Sequence, residues 1–423
     1  MLDMSYIREH AAEVKKNVQD RRMEVDVDAL LKADEKRLNQ LQAVEALRQE
    51  RNAVAEEMKT AKGDVRTPLI EKGKALKERL SGEEAKLGEA GAAWNELLLR
   101  VPNRAHPDAP LGGSDAENVE IKRVGEPAKL SFKPLSHVDL AAKHDLIDFE
   151  RGAKVAGAKF YFLKGKLVLL EQALIQWVLR EMVAEGFIPL ITPDVAKDEV
   201  LQGVGFSPRG PETQVYSLEG TDLSLIGTSE IPVGGYHRDE ILEDAKLPLK
   251  YVALSHCFRT EAGTYGRESY GLYRVHQFTK VELFIVAAPE QSDALHEELR
   301  AIEERIFTKL GVPFRVVDIC TADLGAPAYR KYDLEAWMWG RKNGEGDWGE
   351  VTSTSNCTDY QARRLNIRTR RSDGSLVYAH TLNGTAVATS RALITLLENY
   401  QQEDGSILVP EVLKPFCGFD RIG

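Results

Sequence analysis

Between residues 28 and 100 the apolar positions fall at helical intervals. Leu31, Leu38, Leu41, Val44, Leu47, Val54 and Met58 mark the first half, and Leu80, Leu87, Trp94 and Val101 stand seven residues apart in the second, with Leu76 and Leu98 between. The intervening positions are rich in Ala, Glu, Lys, Gln and Arg, all strong helix formers. Gly63-Asp-Val-Arg-Thr-Pro68 separates the two sets, and Thr67-Pro68 suits an N-cap followed by a proline in the first helical position. The pattern predicts two long helices folded back as an antiparallel coiled coil. At about 1.5 Å per residue, roughly 30 residues per helix give an arm about 45 Å long.

The pattern then changes. Residues 102–134 hold five of the seventeen prolines and the pair Gly112-Gly113, which reads as a linker. Residues 1–101 are thus the helical arm and 135–423 the globular body. Within the body an amphipathic helix runs from Leu167 to about Glu185 and stops at Gly186. Phe187-Ile-Pro-Leu-Ile-Thr-Pro193 follows as a strand ending in proline. Apolar runs at 249–254, 281–287 and 314–320 read as further strands, with a helix at about 290–310.

One pair of these strands carries the chemistry. Phe258-Arg-Thr-Glu-Ala-Gly263 leads through a Gly-rich gap to Val275-His-Gln-Phe-Thr-Lys-Val-Glu-Leu-Phe284. Residues of equal parity share a strand face. Arg259 and Glu261 therefore point one way, and so do His276, Phe278, Lys280, Glu282 and Phe284. One face of such a hairpin offers a phosphate clamp, a surface the size of adenine and two acceptors, with no glycine phosphate loop. Gly203-Val-Gly205 lacks the third glycine of a dinucleotide site, and neither G-x-x-x-x-G-K-[ST] nor H-E-x-x-H occurs.

Composition narrows the picture without redirecting it. With 43% apolar and 29% charged residues among 423, the chain matches an ordinary soluble protein that can bury a large core plus a smaller domain. Net charge is −10, so contact with nucleic acid requires a local basic patch. Such a patch exists: Lys59, Lys62, Arg66, Lys72, Lys74, Lys77 and Arg79 stand against three acids at the arm tip. Charge alone leaves two readings open, a solvated helical face or a surface for RNA. Cys257, Cys320, Cys357 and Cys417 lie far apart with no C-x-x-C spacing, which suits buried free thiols in a reducing compartment. The first residues lack an apolar core of signal-peptide length, and no run approaches a membrane span. A cytoplasmic protein without membrane contact is expected.

The FRTEAG and HQFTKVE segments resemble motif 2 of the class II aminoacyl-tRNA synthetases, and the wording is similar to the seryl-tRNA synthetase family. Two further segments resemble that family: Glu350-Val-Thr-Ser353, continuing into Ser355-Asn-Cys357, and Leu382-Asn-Gly-Thr-Ala-Val-Ala-Thr-Ser-Arg391, read as a strand, a glycine turn and a helix like motif 3. The helix and strand around residues 167–193 resemble motif 1, which builds the family's dimer interface. The resemblance covers arm, linker and body. It implies an α+β fold with a class II antiparallel sheet flanked by helices and a tRNA-binding arm, and a homodimer that activates L-serine with ATP before charging tRNA(Ser).

The same resemblance implies the site. Arg259, Glu350 and Arg391 would be catalytic. ATP would meet Arg259, Thr260, Glu261, Val275, Phe278, Glu350, Val351, Thr352, Ser353 and Arg391. Mg²⁺ would sit on Glu350 and Ser353, hard oxygen donors that suit it. Serine would be held by Thr228, Ser229, Glu230, Glu282 and Thr385, with Thr228 and Glu230 at the ammonium and Glu282 and Thr385 at the hydroxyl. A buried carboxylate awaiting a hydroxyl is left unpaired by alanine, which disfavours alanine strongly. The basic arm tip would contact the long variable arm of tRNA(Ser), and tRNA(Sec) is a second substrate by resemblance. Three departures stand out: Tyr270 where relatives often carry Arg, Ser390 where they often carry Gly, and Gly227 where they often carry Pro. Two rival readings are a ligase that charges a carrier protein, whose members lack the arm, and a non-catalytic RNA-binding relative, which should have lost Arg259, Glu282 or Arg391.

Overall fold

The computed structural model describes residues 1–206, 214–262 and 271–423. The chain divides into two compact units, Met1–Pro102 and Asn103–Gly423.

The first unit is helical throughout. Short helices Met4–Glu9 and Ala11–Asp20 precede two long ones, Val27–Thr60 and Arg66–Arg100. The long helices run antiparallel: Gln40 reaches the Glu83 carbonyl (3.2 Å), and Arg48 pairs with Glu84 (2.7 Å). Val44, Leu47 and Val54 bury against Leu76 and Leu80, each worth about 1.5–3 kcal/mol when fully covered. Leu31, Leu38, Leu41, Met58, Leu87 and Trp94 are only half-buried, because two helices can close just one narrow seam. At the base Ile7, Val14, Val18, Val27, Leu30, Leu98 and Val101 form a second cluster. Buried Asp34 is held there by Arg8 (3.0 Å) and Arg37 (2.8 Å). The second long helix begins at Arg66, with Val65 as a cap that makes no side-chain bond. Thr67 is therefore inside the first turn rather than the N-cap, and Pro68 follows it where no intrahelical N–H is yet needed.

The second unit is built on an eight-stranded sheet. Its strands are β1 (Val119–Val124), β2 (Ile188–Ile191), β3 (Leu249–Phe258), β4 (Gln277–Ala287), β5 (Phe314–Asp318), β6 (Arg330–Met338), β7 (Asp347–Thr358) and β8 (His380–Ala388). They lie in the order β1-β5-β6-β7-β8-β4-β3-β2, antiparallel except for β2 beside β3. The predicted linker thus contributes an edge strand. Nearly every β1 side chain is exposed, so the segment lacks the apolar alternation that marks a half-buried strand.

Helices Lys166–Ala184, Ser292–Leu310 and Thr389–Asn399 pack on the sheet through Leu170, Leu174, Trp177, Leu299, Ile302, Phe307, Leu393 and Leu397. Strand β4 shows the division of faces. Val281, Leu283 and Ile285 enter this helical core, while Phe284 and Val286 enter a smaller cluster with Leu201, Val204, Ile226, Ile231 and Leu365. On that second face the covering residues stop at Phe284. Phe278, Lys280 and Glu282 continue beyond them along an open cleft. All four cysteines are buried and free. Among the described residues, no helix is long and apolar enough to cross a membrane.

Candidate active site

Strand register assembles the cleft. Residues directly opposite in an antiparallel pair share a face. Glu282 lies opposite Thr385, Ser355 opposite Asn383 and Lys331, and Ser353 opposite Asp333. The cleft of about 370 Å³ is lined along these strands by Lys280, Glu282, Thr385, Asn383, Ser353, Ser355 and Lys331. Arg259, Glu261, Thr228, Glu230 and Arg391 close it from the strand ends and adjoining helices.

One end is cationic. Arg259 follows β3, donates from Nε to the Gly227 carbonyl (3.1 Å), and places its guanidinium 5.5 Å from the Phe278 ring centroid. Arg391, two residues into its helix, contacts Glu350 Oε1 (3.0 Å) and the Glu350 carbonyl (3.1 Å). The Tyr273 ring lies 4.7 Å from Arg391 and 4.9 Å from Arg341, so two guanidinium groups pack on one aromatic. Arg274 pairs with Glu261 (3.1 Å). Glu350 opens into the cleft, its side chain 41% exposed, yet protein surrounds it. Its surroundings remove water, which opposes the charge, but Arg391, Lys331 and Arg259 outweigh this and hold the carboxylate well below the usual range. Asp333, more deeply set and with Glu350 near, is pushed up by burial despite its Lys331 partner at 3.1 Å.

The other end is buried and acidic. Glu230 is 8% exposed, and its Oε1 accepts from Gln361 (2.7 Å) and Asn383 (2.9 Å). Burial, with Glu282 nearby, pushes its carboxyl up to about 7. Glu282 is 1% exposed and ion-paired with Lys280, while Thr385 donates to it at 3.4 Å. Burial raises this carboxyl too, against the pull of Lys280. Lys280 also donates to Thr228 Oγ1 (2.7 Å).

Most residues named from the sequence meet here. Thr228, Glu230, Arg259, Glu261, Val275, Phe278, Glu282, Glu350, Val351, Thr352, Ser353, Thr385 and Arg391 all line the cleft. Ser229 and Thr260 do not: Ser229 is wholly buried, and the Thr260 backbone N–H bonds the Gln214 carbonyl (3.1 Å). Ser390 lines the cleft beside Arg391, and Tyr270 falls outside the described residues. Gly384 is no turn. It sits inside β8, where an added Cβ would come within 3.2 Å of buried Glu303 and of Thr354. Sequence reasoning missed Lys280 as a partner of both Thr228 and Glu282, and missed Gln361 and Asn383 as the donors that hold Glu230. It also missed Tyr273, Arg341 and Lys331 at the cationic end. Lys280 shares the parity of Glu282, the one available signal; the others depend on contacts distant in sequence.

A model of the seryl-tRNA synthetase N-terminal domain matches residues 1–105, and one of the class II core domain of the synthetases for G, H, P, S and T matches 214–400. The chain is similar to the serine–tRNA ligase of Treponema denticola, at 56% identity with all of both chains covered. It belongs to the seryl-tRNA synthetase family. The synthetase is also similar to the serine–tRNA ligase of Dictyoglomus thermophilum, at 52% identity over all of this chain and 99% of the other. Its fold matches the crystal structure of seryl-tRNA synthetase from Pyrococcus horikoshii complexed with ATP, with TM-score 0.90, 40% identity, and coverage of 100% and 99%. The cytoplasmic serine–tRNA ligase of Naegleria fowleri in complex with AMP follows at TM-score 0.86 and 30% identity, covering 100% and 98%. The class II core with its large, mainly antiparallel sheet and the paired-helix N-terminal unit are thus family features.

Proposed function

We propose that this synthetase activates L-serine with ATP in the cleft and then transfers the seryl group to the 3′ end of tRNA(Ser). The observation that carries the assignment is the cleft's polarity: guanidinium groups and an aromatic at one end, buried carboxylates at the other. A triphosphate suits the first, and a small ammonium-bearing hydroxy acid suits the second. A serine carboxylate oxygen attacks the ATP α-phosphorus, forming the P–O bond of seryl-adenylate as the bond to pyrophosphate breaks. Arg259 faces charge developing at the α-phosphate, and Arg391 holds the departing end. Phe278 stacks on adenine, with Glu261 at its amino edge. The 3′-terminal hydroxyl of tRNA then attacks the seryl carbonyl, and AMP leaves.

The residues present fit Mg²⁺. Glu350 is held anionic, opens into the cleft, and shares it with Ser353. One or two protein oxygens completed by water and phosphate make an ordinary magnesium site. Glu350 and Ser353 would hold the ion, which supplies charge neutralisation to the phosphates.

At the acidic end Glu230 receives the ammonium. Glu282 and Thr385 meet the side-chain hydroxyl. Because Glu282 already has Lys280 as a partner, alanine would not leave it wholly unpaired, so the discrimination is smaller than an isolated buried carboxylate would give.

The arm tip supports tRNA binding. Lys59, Lys62, Arg66, Lys72, Lys74, Lys77 and Arg79 are all exposed, with Lys59 paired to Glu56 and Lys72 to Glu50. Phosphate contacts there would position the tRNA and make affinity fall with salt. The same contacts suit tRNA(Sec). Exposed Leu169, Val183, Ile188 and Ile191 on the motif 1 helix and strand suit a homodimer interface. A cytoplasmic enzyme fits the buried free thiols. Deleting residues 30–98 is expected to spare serine-dependent pyrophosphate exchange and abolish charging of tRNA(Ser); loss of exchange in that variant would contradict the division of labour.

A further inference from the structure

Lys280 is among the most deeply placed charges in the cleft, 6% exposed. It reaches two groups from different elements: the Glu282 carboxylate on its own strand and Thr228 Oγ1, at 2.7 Å, in the segment leading to helix Glu230–Gly235. The oxygens involved decide what each partner can still do. Among the described residues, both polar contacts of Glu282, from Lys280 and from Thr385, fall on Oε2. Oε1 thus keeps its accepting capacity. Thr228 Oγ1 accepts from Lys280 and also from the Glu230 backbone N–H (3.3 Å). A hydroxyl has two lone pairs and one hydrogen. With both lone pairs engaged, Thr228 can meet a ligand only by donating.

We infer that Lys280 is the positioning residue of the serine subsite: it ties Glu282 Oε2 to Thr228 Oγ1, reserves Glu282 Oε1 for the substrate hydroxyl, and turns Thr228 into a donor to a substrate oxygen. The inference rests on the serine reading of the cleft and refines it. Thr228 no longer receives the ammonium through its side chain. That falls to Glu230, whose two donors among the described residues both use Oε1 and leave Oε2 available.

The Lys280 ammonium also favours the charged form of Glu282 in a place where burial disfavours charge. The groups facing Glu282 are Lys280 on its own strand, Arg259 after β3, Glu230 on the overlying helix, Glu303 on the helix beneath and Cys257 on the neighbouring strand. Lys280 and Arg259 are the cations of this set. Without Lys280, burial and the two acids oppose ionisation of Glu282, so the acid limb of serine activation must move to higher pH.

The test uses serine-dependent pyrophosphate exchange by the full-length enzyme from pH 5.5 to 8.5. Lys280→Met is expected to lower kcat/KM for serine about 100-fold at pH 7, as loss of one partner from a buried ion pair does. The KM for ATP should stay within about twofold, because Lys280 touches only the acidic end. The acid limb should rise by about one pH unit. Lys280→Gln keeps a donor for Thr228 without charge, and should show the same displaced limb even if the Met variant folds poorly. Adding Glu282→Gln to Lys280→Met should cost much less than the product of the single losses. An unmoved acid limb in both Lys280 variants, or serine kcat/KM within about threefold of wild type, would overturn the inference. Wild-type enzyme that makes no seryl-adenylate would instead remove the serine reading on which it stands.

Discussion

The two ends of the cleft treat carboxylates in opposite ways. At the cationic end Glu350 opens to solvent, sits 3.0 Å from Arg391 and is held well down as an anion. At the other end Glu230 and Glu282 are almost sealed from water, and burial pushes both upward, Glu230 to about 7. Burial opposes the charge at both ends, so the difference comes from the cations: Arg391, Lys331 and Arg259 outweigh it at Glu350, whereas Lys280 and Arg259 do not at Glu230 and Glu282. The lesson is functional. A permanently charged carboxylate suits a metal and a polyphosphate that arrive with strong charges of their own. A carboxylate such as Glu230, pushed up to about 7, suits a small ammonium-bearing ligand, because the ammonium favours its charged form when it arrives.

Substitutions can break this contrast. The largest effect is expected from Arg391→Ala, which removes a guanidinium from the phosphate end and leaves Glu350 without its nearest cation. Pyrophosphate exchange should fall by about 10³, as when a preorganised donor to the transition state is removed, with the KM for serine within about threefold. A large rise in serine KM would show that the two ends are not separable.

Next comes Glu282→Ala. It strands Lys280 in a buried site, so serine kcat/KM should drop about 100-fold while ATP binding, measured by calorimetry, persists. Unchanged serine turnover would refute the assigned role.

The pH response sharpens the contrast further. Glu230 has its proton affinity raised in the folded protein, to about 7. The proton must leave before the carboxylate can pair with the serine ammonium. Below pH 7 the KM for serine should therefore rise, approaching tenfold per pH unit, and serine binding near pH 6.5 should release protons to the buffer. For folding the sign is opposite: stability contributed by protonated Glu230 is full below the unfolded value of 4.5 and is lost as pH rises through about 7. Serine KM independent of pH between 5.5 and 7 would contradict the poised carboxylate.

The smallest effect lies outside the cleft. Lys72, Lys74 and Lys77 changed together to Gln should leave exchange untouched. They should weaken tRNA(Ser) charging a few-fold and lower its salt slope by about 0.7–0.9 for each phosphate no longer neutralised.

Much of this site could be read from the sequence because its parts obey short-range rules. Phe278 and Glu282 follow strand parity on β4, and the helix carrying Arg391 begins directly after β8; Arg259 and Glu261 reach the cleft differently, from beyond the end of β3 at Phe258, where Glu261 takes a left-handed φ of 51°. What escaped depends on the third dimension. Thr228 and Lys280 are 52 positions apart and meet only because helix Glu230–Gly235 lies over β4. Gln361 reaches Glu230 across 131 positions. Gly384 looks like a turn signal, but its missing side chain makes room for Glu303 beneath the sheet. Strand β1 was hidden because an exposed edge strand carries no apolar stripe. The arm was legible as helices, while the depth of each heptad position was not, since a pair of helices buries fewer positions than the repeat contains.

Everything proposed for the cleft requires that it transfer the adenylyl group of ATP to serine, with release of pyrophosphate, in strong preference to every other amino acid. ATP–pyrophosphate exchange by the full-length enzyme, with Mg²⁺ and each of the amino acids in turn, tests this most directly. Strong exchange with L-serine, and only weak exchange with alanine, glycine and threonine, is the expected result. Exchange driven best by another amino acid, or absent with serine, would contradict it.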